Sequence, residues 1–88
     1  MGGWLERLSM QDEALPAQTL VELLGDRRVL IEHHRGITEY SRDRIQVRVK
    51  YGIVCIVGEH LELCKMTGDL LVIAGRIDSL ALFRGDSV

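Results

Sequence analysis

Arg44-Ile45-Gln46-Val47-Arg48-Val49-Lys50-Tyr51 alternates between polar and apolar residues without a break. Successive side chains of a β-strand point to opposite faces, so this period of two predicts a strand. Ile45, Val47, Val49 and Tyr51 then face a core, while Arg44, Gln46, Arg48 and Lys50 face away from it.

Outward from this segment, short apolar runs punctuated by glycine fill the chain from Thr19 onward. Strands are expected at about 19–24, 28–34, 37–41, 44–50, 53–57, 61–66, 70–74 and 77–83. Gly25-Asp26, Arg35-Gly36, Tyr51-Gly52, Gly58-Glu59 and Gly68-Asp69 supply the expected turns, because glycine accepts the positive φ that tight hairpins need. Beyond Pro16 there is neither a helical period nor another proline. The expected fold is all-β: a small antiparallel sandwich or partly open barrel of about eight short strands.

Two details refine that expectation. In the last strand Ile77 is followed by Leu80 and Leu82, one residue out of phase, and a β-bulge near Asp78-Ser79 restores a single buried face. There is also an internal echo. Val57-Gly58-Glu59-His60-Leu61-Glu62-Leu63 and Ala74-Gly75-Arg76-Ile77-Asp78-Ser79-Leu80 each run from an apolar strand through glycine into another strand. Leu24 to Ile31 is a looser third copy, too irregular for a solenoid.

Ile53 to Val57 and Leu70 to Ala74 are apolar at every position, so each needs cover on both faces. An 88-residue chain that is 47% hydrophobic forms one domain with little interior to supply that cover. A domain of this size buries only about 60% of the surface its unfolded chain exposes. The second cover is expected from the N-terminal segment or from a neighbouring subunit; a contribution from self-association as a homo-oligomer is favoured, with Ile53, Cys55, Val57, Leu70 and Val72 as candidate contact residues.

The segment 1–16 differs in pattern. Trp4, Leu5 and Leu8 form one apolar stripe on a short N-terminal helical segment ending near Pro16. A helix this short is not stable alone and must dock on its own domain, a partner or a membrane surface. The expected organisation is this helical or flexible segment at 1–16, a β domain at 17–84 and a tail at 85–88.

Composition narrows the functional classes. A net charge of −2 lends no support to a broad nucleic-acid footprint. No apolar run approaches the roughly 20 residues that span a bilayer, and the start lacks the features of a signal peptide. A cytoplasmic protein with reduced, buried thiols at Cys55 and Cys64 is expected. If Glu59-His60 were a two-residue turn, the pairs 58/61, 57/62, 56/63 and 55/64 would set those two thiols opposite each other. As two small hydrophobes they need no further role, and neither has a base held beside it for nucleophilic chemistry.

His33, His34 and Arg35 form the most polar cluster. Adjacent residues in a strand face opposite ways, so the two histidines do not share a metal ion, and no ligand spacing links them to His60 or the cysteines. A strand end whose side chains fix the turn at Gly36 or meet a partner is the better reading. Arg42, Arg44, Arg48 and Lys50 make a basic face, which supports a rival reading as a small nucleic-acid-binding module. A solvated or edge-protecting strand is commoner, and one Trp, two Tyr and one Phe supply few stacking platforms. No phosphate-cradling loop and no paired-carboxylate pattern stands out, so no enzymatic activity and no cofactor are expected.

Val29-Leu30-Ile31-Glu32-His33-His34-Arg35-Gly36-Ile37-Thr38-Glu39-Tyr40 resembles the L-x-I-E-N-H-R-G-I-x-x-Y stretch of YqfC-type proteins in the YabP/YqfC sporulation family, with His33 in place of the usual asparagine. Gly52 to Leu63 is similar to that family's G-x-x-x-I-x-G-x-x-L-x-I signature, and Leu71 to Leu80 to its closing I-x-G-x-I-x-x-L element. Leu15-Pro16 also falls where the family has a Leu-Pro before its first strand. The resemblance covers about Leu15 to Phe83. It implies a non-catalytic role in endospore formation in a Firmicute, on the mother-cell side, in spore envelope or coat development. It also implies a membrane-protein partner of the YqfD type and a location in the mother-cell cytoplasm or at the periphery of the forespore outer membrane. The candidate partner-binding residues are His33, His34, Arg35, Gly36 and Tyr40, together with Trp4 and Leu8.

Overall fold

A computed structural model describes residues 18–85. The expected N-terminal helical segment, with Trp4, Leu5 and Leu8, lies outside the described residues. Those described form six antiparallel strands: β1 Leu20–Leu24, β2 Arg28–Glu32, β3 Ile37–Tyr40, β4 Arg44–Val49, β5 Gly52–Met66 and β6 Leu70–Arg84. They make one open sheet in the order β1-β2-β6-β5-β4-β3. All-β holds; the count of about eight strands in a sandwich or partly open barrel is corrected to six in one open sheet.

The difference lies in β5 and β6. The expected strands 53–57 and 61–66 are one strand, and so are 70–74 and 77–83. Gly58-Glu59, an expected turn, does not reverse the chain; its glycine lets two backbones touch. A Cβ on Gly58 would fall on the Arg76 carbonyl oxygen, and one on Gly75, at φ +136°, would sit 2.6 Å from the His60 carbonyl oxygen. The chain bends at bulges instead of turning back. Val57 pairs Ser79 while Gly58 pairs Ile77, so Asp78 is the extra residue expected from the phase slip. His60 and Leu61 together oppose Gly75, with His60 at φ 55°. Cys64 is a third extra residue, between Leu63 paired with Ile73 and Lys65 paired with Val72. The two long echo segments are thus cross-strand neighbours at the waist of one long hairpin.

Two outer hairpins grip that waist from opposite edges. On one side Gly75 N–H donates to Arg27 O at 3.1 Å and Ile77 N–H to Asp26 O at 2.7 Å. On the other, Gly58 N–H donates to Asp43 O at 3.1 Å and Leu61 N–H to Arg42 O at 2.7 Å. β2 then pairs with β6 only over Leu70 to Ala74, and β4 with β5 only over Gly52 to Val57.

The core gathers Val29 and Ile31 of β2, Ile45, Val47 and Val49 of β4, Val54, Ile56 and Leu61 of β5, and Leu71, Ile73 and Ile77 of β6. The alternation in β4 is realised as expected, with Ile45, Val47 and Val49 buried and Arg44 and Arg48 exposed. The sheet coils to bring β2 and β4 to one core. In a flat sheet the step from β2 to β3 would cross four strand spacings, about 19 Å. Five residues of fully extended chain span at most about 18 Å, and this crossover is not extended, since His33 has φ 63° and Gly36 φ 111°.

Candidate functional site

The crossover His33–Gly36 is organised by a buried histidine. His34 is 9% exposed. Its Nδ1 accepts from Gly36 N–H at 3.0 Å, and its Nε2 donates to Thr67 O at 2.9 Å. A carbonyl only accepts and an amide only donates, so these two partners specify the neutral tautomer protonated on Nε2. The backbone extends the tie: His33 N–H donates to Asp69 O, Arg35 N–H to Arg48 O and Arg48 N–H to Gly36 O, at 2.7, 2.7 and 2.8 Å. His34 therefore fixes the turn at Gly36, as the sequence suggested. Its second anchor, the β5–β6 turn, has no local signal.

His33, at positive φ, is exposed and lies 4.0 Å from the Asp69 carboxylate. The two histidines do part company, but at a kinked crossover and not within a strand. Tyr40 is exposed at the end of β3, where its hydroxyl accepts from Leu63 N–H at 3.2 Å. Arg35 is exposed beside Arg48. Trp4 and Leu8 lie outside the described residues.

Ile53, Cys55, Val57, Leu70 and Val72 all sit on the sheet face turned away from the core cluster. Cys55 is 5% exposed and the other four are half-buried. The proposed pairing of Cys55 with Cys64 does not occur. Cys55 pairs Gln46 on one side and Ala81 on the other, and Cys64, expected to be buried, is exposed at a bulge. Both thiols are free.

The basic face is split. Arg44 lies 3.7 Å from the Glu39 carboxylate, and Arg42 belongs to the β3–β4 turn at the same end. Arg48 and Lys50 are at the other end of β4, where they share a recess with Arg35. Near the Arg44 end, Arg76 contacts Glu59 at 3.1 Å and Asp78 at 3.3 Å, and Asp78 holds the guanidinium above its usual pKa through a hydrogen bond and its charge.

One feature escaped the sequence reading. Beyond Ile77, the edge of β6 opposite β5 has no strand partner among the described residues. Gly85 N–H donates to Tyr51 O at 2.9 Å, so alternation turns the peptide groups of Phe83, Ala81 and Ser79 toward β5. Those of Leu80, Leu82 and Arg84 then face the open side. Leu82 and Phe83 are 55% and 59% exposed, the highest values among the large hydrophobic residues described. The available signal was the lack of proline and charge from Ser79 to Phe83. Beside this edge, Thr19, Val21, Val49, Tyr51, Val54 and Leu80 help line an apolar groove of about 390 Å³.

No curated protein and no solved structure matches the chain significantly. The model of the YabP family matches residues 16–87. That span contains the crossover, both outer hairpins and the long β5–β6 hairpin, and the chain belongs to the YabP family.

Proposed function

We propose that the protein is a non-catalytic, self-associating scaffold or adaptor of the sporulation programme, acting on the mother-cell side in spore envelope or coat development. Membership of the YabP family is consistent with a sporulation-related protein. The Arg35-Gly36-Ile37 run and the following Tyr40 support a YqfC-type assignment within it. A cytoplasmic location peripheral to the forespore outer membrane, with a YqfD-type membrane protein as partner, completes the reading.

The observation that carries self-association is the apolar edge of β6 beyond Ile77, which has no strand partner among the described residues. A strand edge with unpaired peptide groups is a template for another strand, and this one lacks the proline or inward charge that blunts such edges. Two copies pairing antiparallel are related by a two-fold axis perpendicular to the sheet. Opposed residues must then lie on the same face, which centres the pairing on Ala81 or Leu82. Either register sets the two Leu82 side chains directly or diagonally across the axis.

Sedimentation velocity on Leu82→Lys and Leu82→Glu tests this. Each variant alone is expected to be monomeric where the wild type is not, and an equimolar mixture is expected to restore association. A wild-type protein that stays strictly monomeric at high micromolar concentration removes the scaffold reading. In the spore-forming host, loss of the gene is expected to lower spore yield without changing vegetative growth.

A further inference from the structure

We infer that the outer face at the Val49 end of β4 is a docking surface for an anionic lipid bilayer. Arg35, Arg48 and Lys50 line one recess of about 370 Å³ together with Ile53 and the backbones of Gly52 and Gly85. The three cations are exposed. Arg48 pairs with Ile53 and Ile53 with Phe83, so a single row across three strands runs from a guanidinium through an aliphatic side chain to an exposed ring. Arg84, the residue after Phe83 in β6, faces the other way and lies 6.0 Å from the Tyr51 ring centroid, so it is not part of this row.

Among the described residues Arg35, Arg48 and Lys50 have no carboxylate within ion-pair distance; at the opposite end Arg44 and Arg76 are matched by Glu39, Glu59 and Asp78, and Arg42 is not. The chain as a whole is acidic, so this end is a segregated positive patch.

Charge complementarity calls for an anionic partner, and the neighbouring apolar residues decide its class. Ile53 beside an exposed Phe83 offers aliphatic and aromatic surface to hydrocarbon while the cations meet headgroup phosphates. A nucleic-acid strand would find one ring for stacking and an aliphatic neighbour that contributes little to it. The surface belongs to one copy of the chain, and its cations Arg35, Arg48 and Lys50 lie off β6.

Flotation of the full chain with vesicles of phosphatidylcholine, with and without phosphatidylglycerol, tests the inference. Binding is expected only with phosphatidylglycerol and is expected to weaken as salt shortens the reach of the charges. Each basic residue near such a surface contributes a factor of about five, so Arg48→Glu with Lys50→Glu should lower partitioning by at least about thirtyfold. Phe83→Ser should lower it further. Arg35→Gln with Lys50→Gln, a neutral pair, serves if the reversed pair does not fold. Sedimentation of the same variants separates the two readings: an unchanged oligomer that no longer floats supports the lipid surface. Equal binding to both vesicle types, or full binding by the charge-reversed variant, overturns it. So does absence of vesicle binding together with salt-sensitive DNA binding lost on the same reversal.

Discussion

The His34 imidazole and the Thr67 carbonyl meet at 2.9 Å across 33 positions of sequence, joining the β2–β3 crossover to the tip of the long hairpin. The same ring holds Gly36 N–H through its other nitrogen, so one buried side chain sets the angle at which the chain leaves one flank of the sheet for the other. His34→Ala should cost about 2 kcal/mol by leaving both groups without their partner. His34→Gln, which keeps one acceptor and one donor, should recover part of it. Urea denaturation of the two variants measures the difference, and equal losses would show that the ring acts through bulk alone.

Backbone contact at the waist makes a second, steeper test. Gly58→Ala and Gly75→Ala force a methyl group onto a carbonyl of the paired strand, and each should cost about 3 kcal/mol or more. Gly68 in the β5–β6 turn has open space around it, so Gly68→Ala should stay within about 0.5 kcal/mol of wild type. Thermal unfolding followed by circular dichroism ranks the three. A tolerated Gly58→Ala would mean that the strands do not approach as described.

The two thiols should react unequally. Cys64 is exposed at its bulge while Cys55 is buried between Gln46 and Ala81. Brief alkylation of the native protein, read by mass spectrometry, should label Cys64 alone, and both should label in denaturant. A Cys55–Cys64 disulfide under mild oxidation would contradict the pairing of β5 with β6.

Pairing through β6 and docking on lipid make a joint prediction. A two-fold axis perpendicular to the sheet leaves both copies presenting Arg48, Ile53 and Phe83 to the same side. Vesicle binding should then gain from two-point attachment in the wild type and fall in the Leu82→Glu monomer toward single-site strength, still dependent on phosphatidylglycerol. Opposite-facing surfaces would instead cluster vesicles, which light scattering detects.

The sequence by itself determined what depends on neighbours a few positions away. The alternation from Arg44 to Tyr51 set a half-buried strand, the phase slip after Ile77 located the bulge at Asp78, and the His34-Arg35-Gly36 run marked a turn. Only the tertiary structure decided whether a glycine reverses the chain or lets it pass close to another. At Gly58 and Gly75 that choice depends on the carbonyls of Arg76 and His60, which come from the facing strand. From it follow the two 15-residue strands, the separation of Cys55 from Cys64, and the length of β6 that extends past β2 with no strand partner among the described residues. Local pattern encodes which way a side chain points, and packing between distant segments decides what it meets.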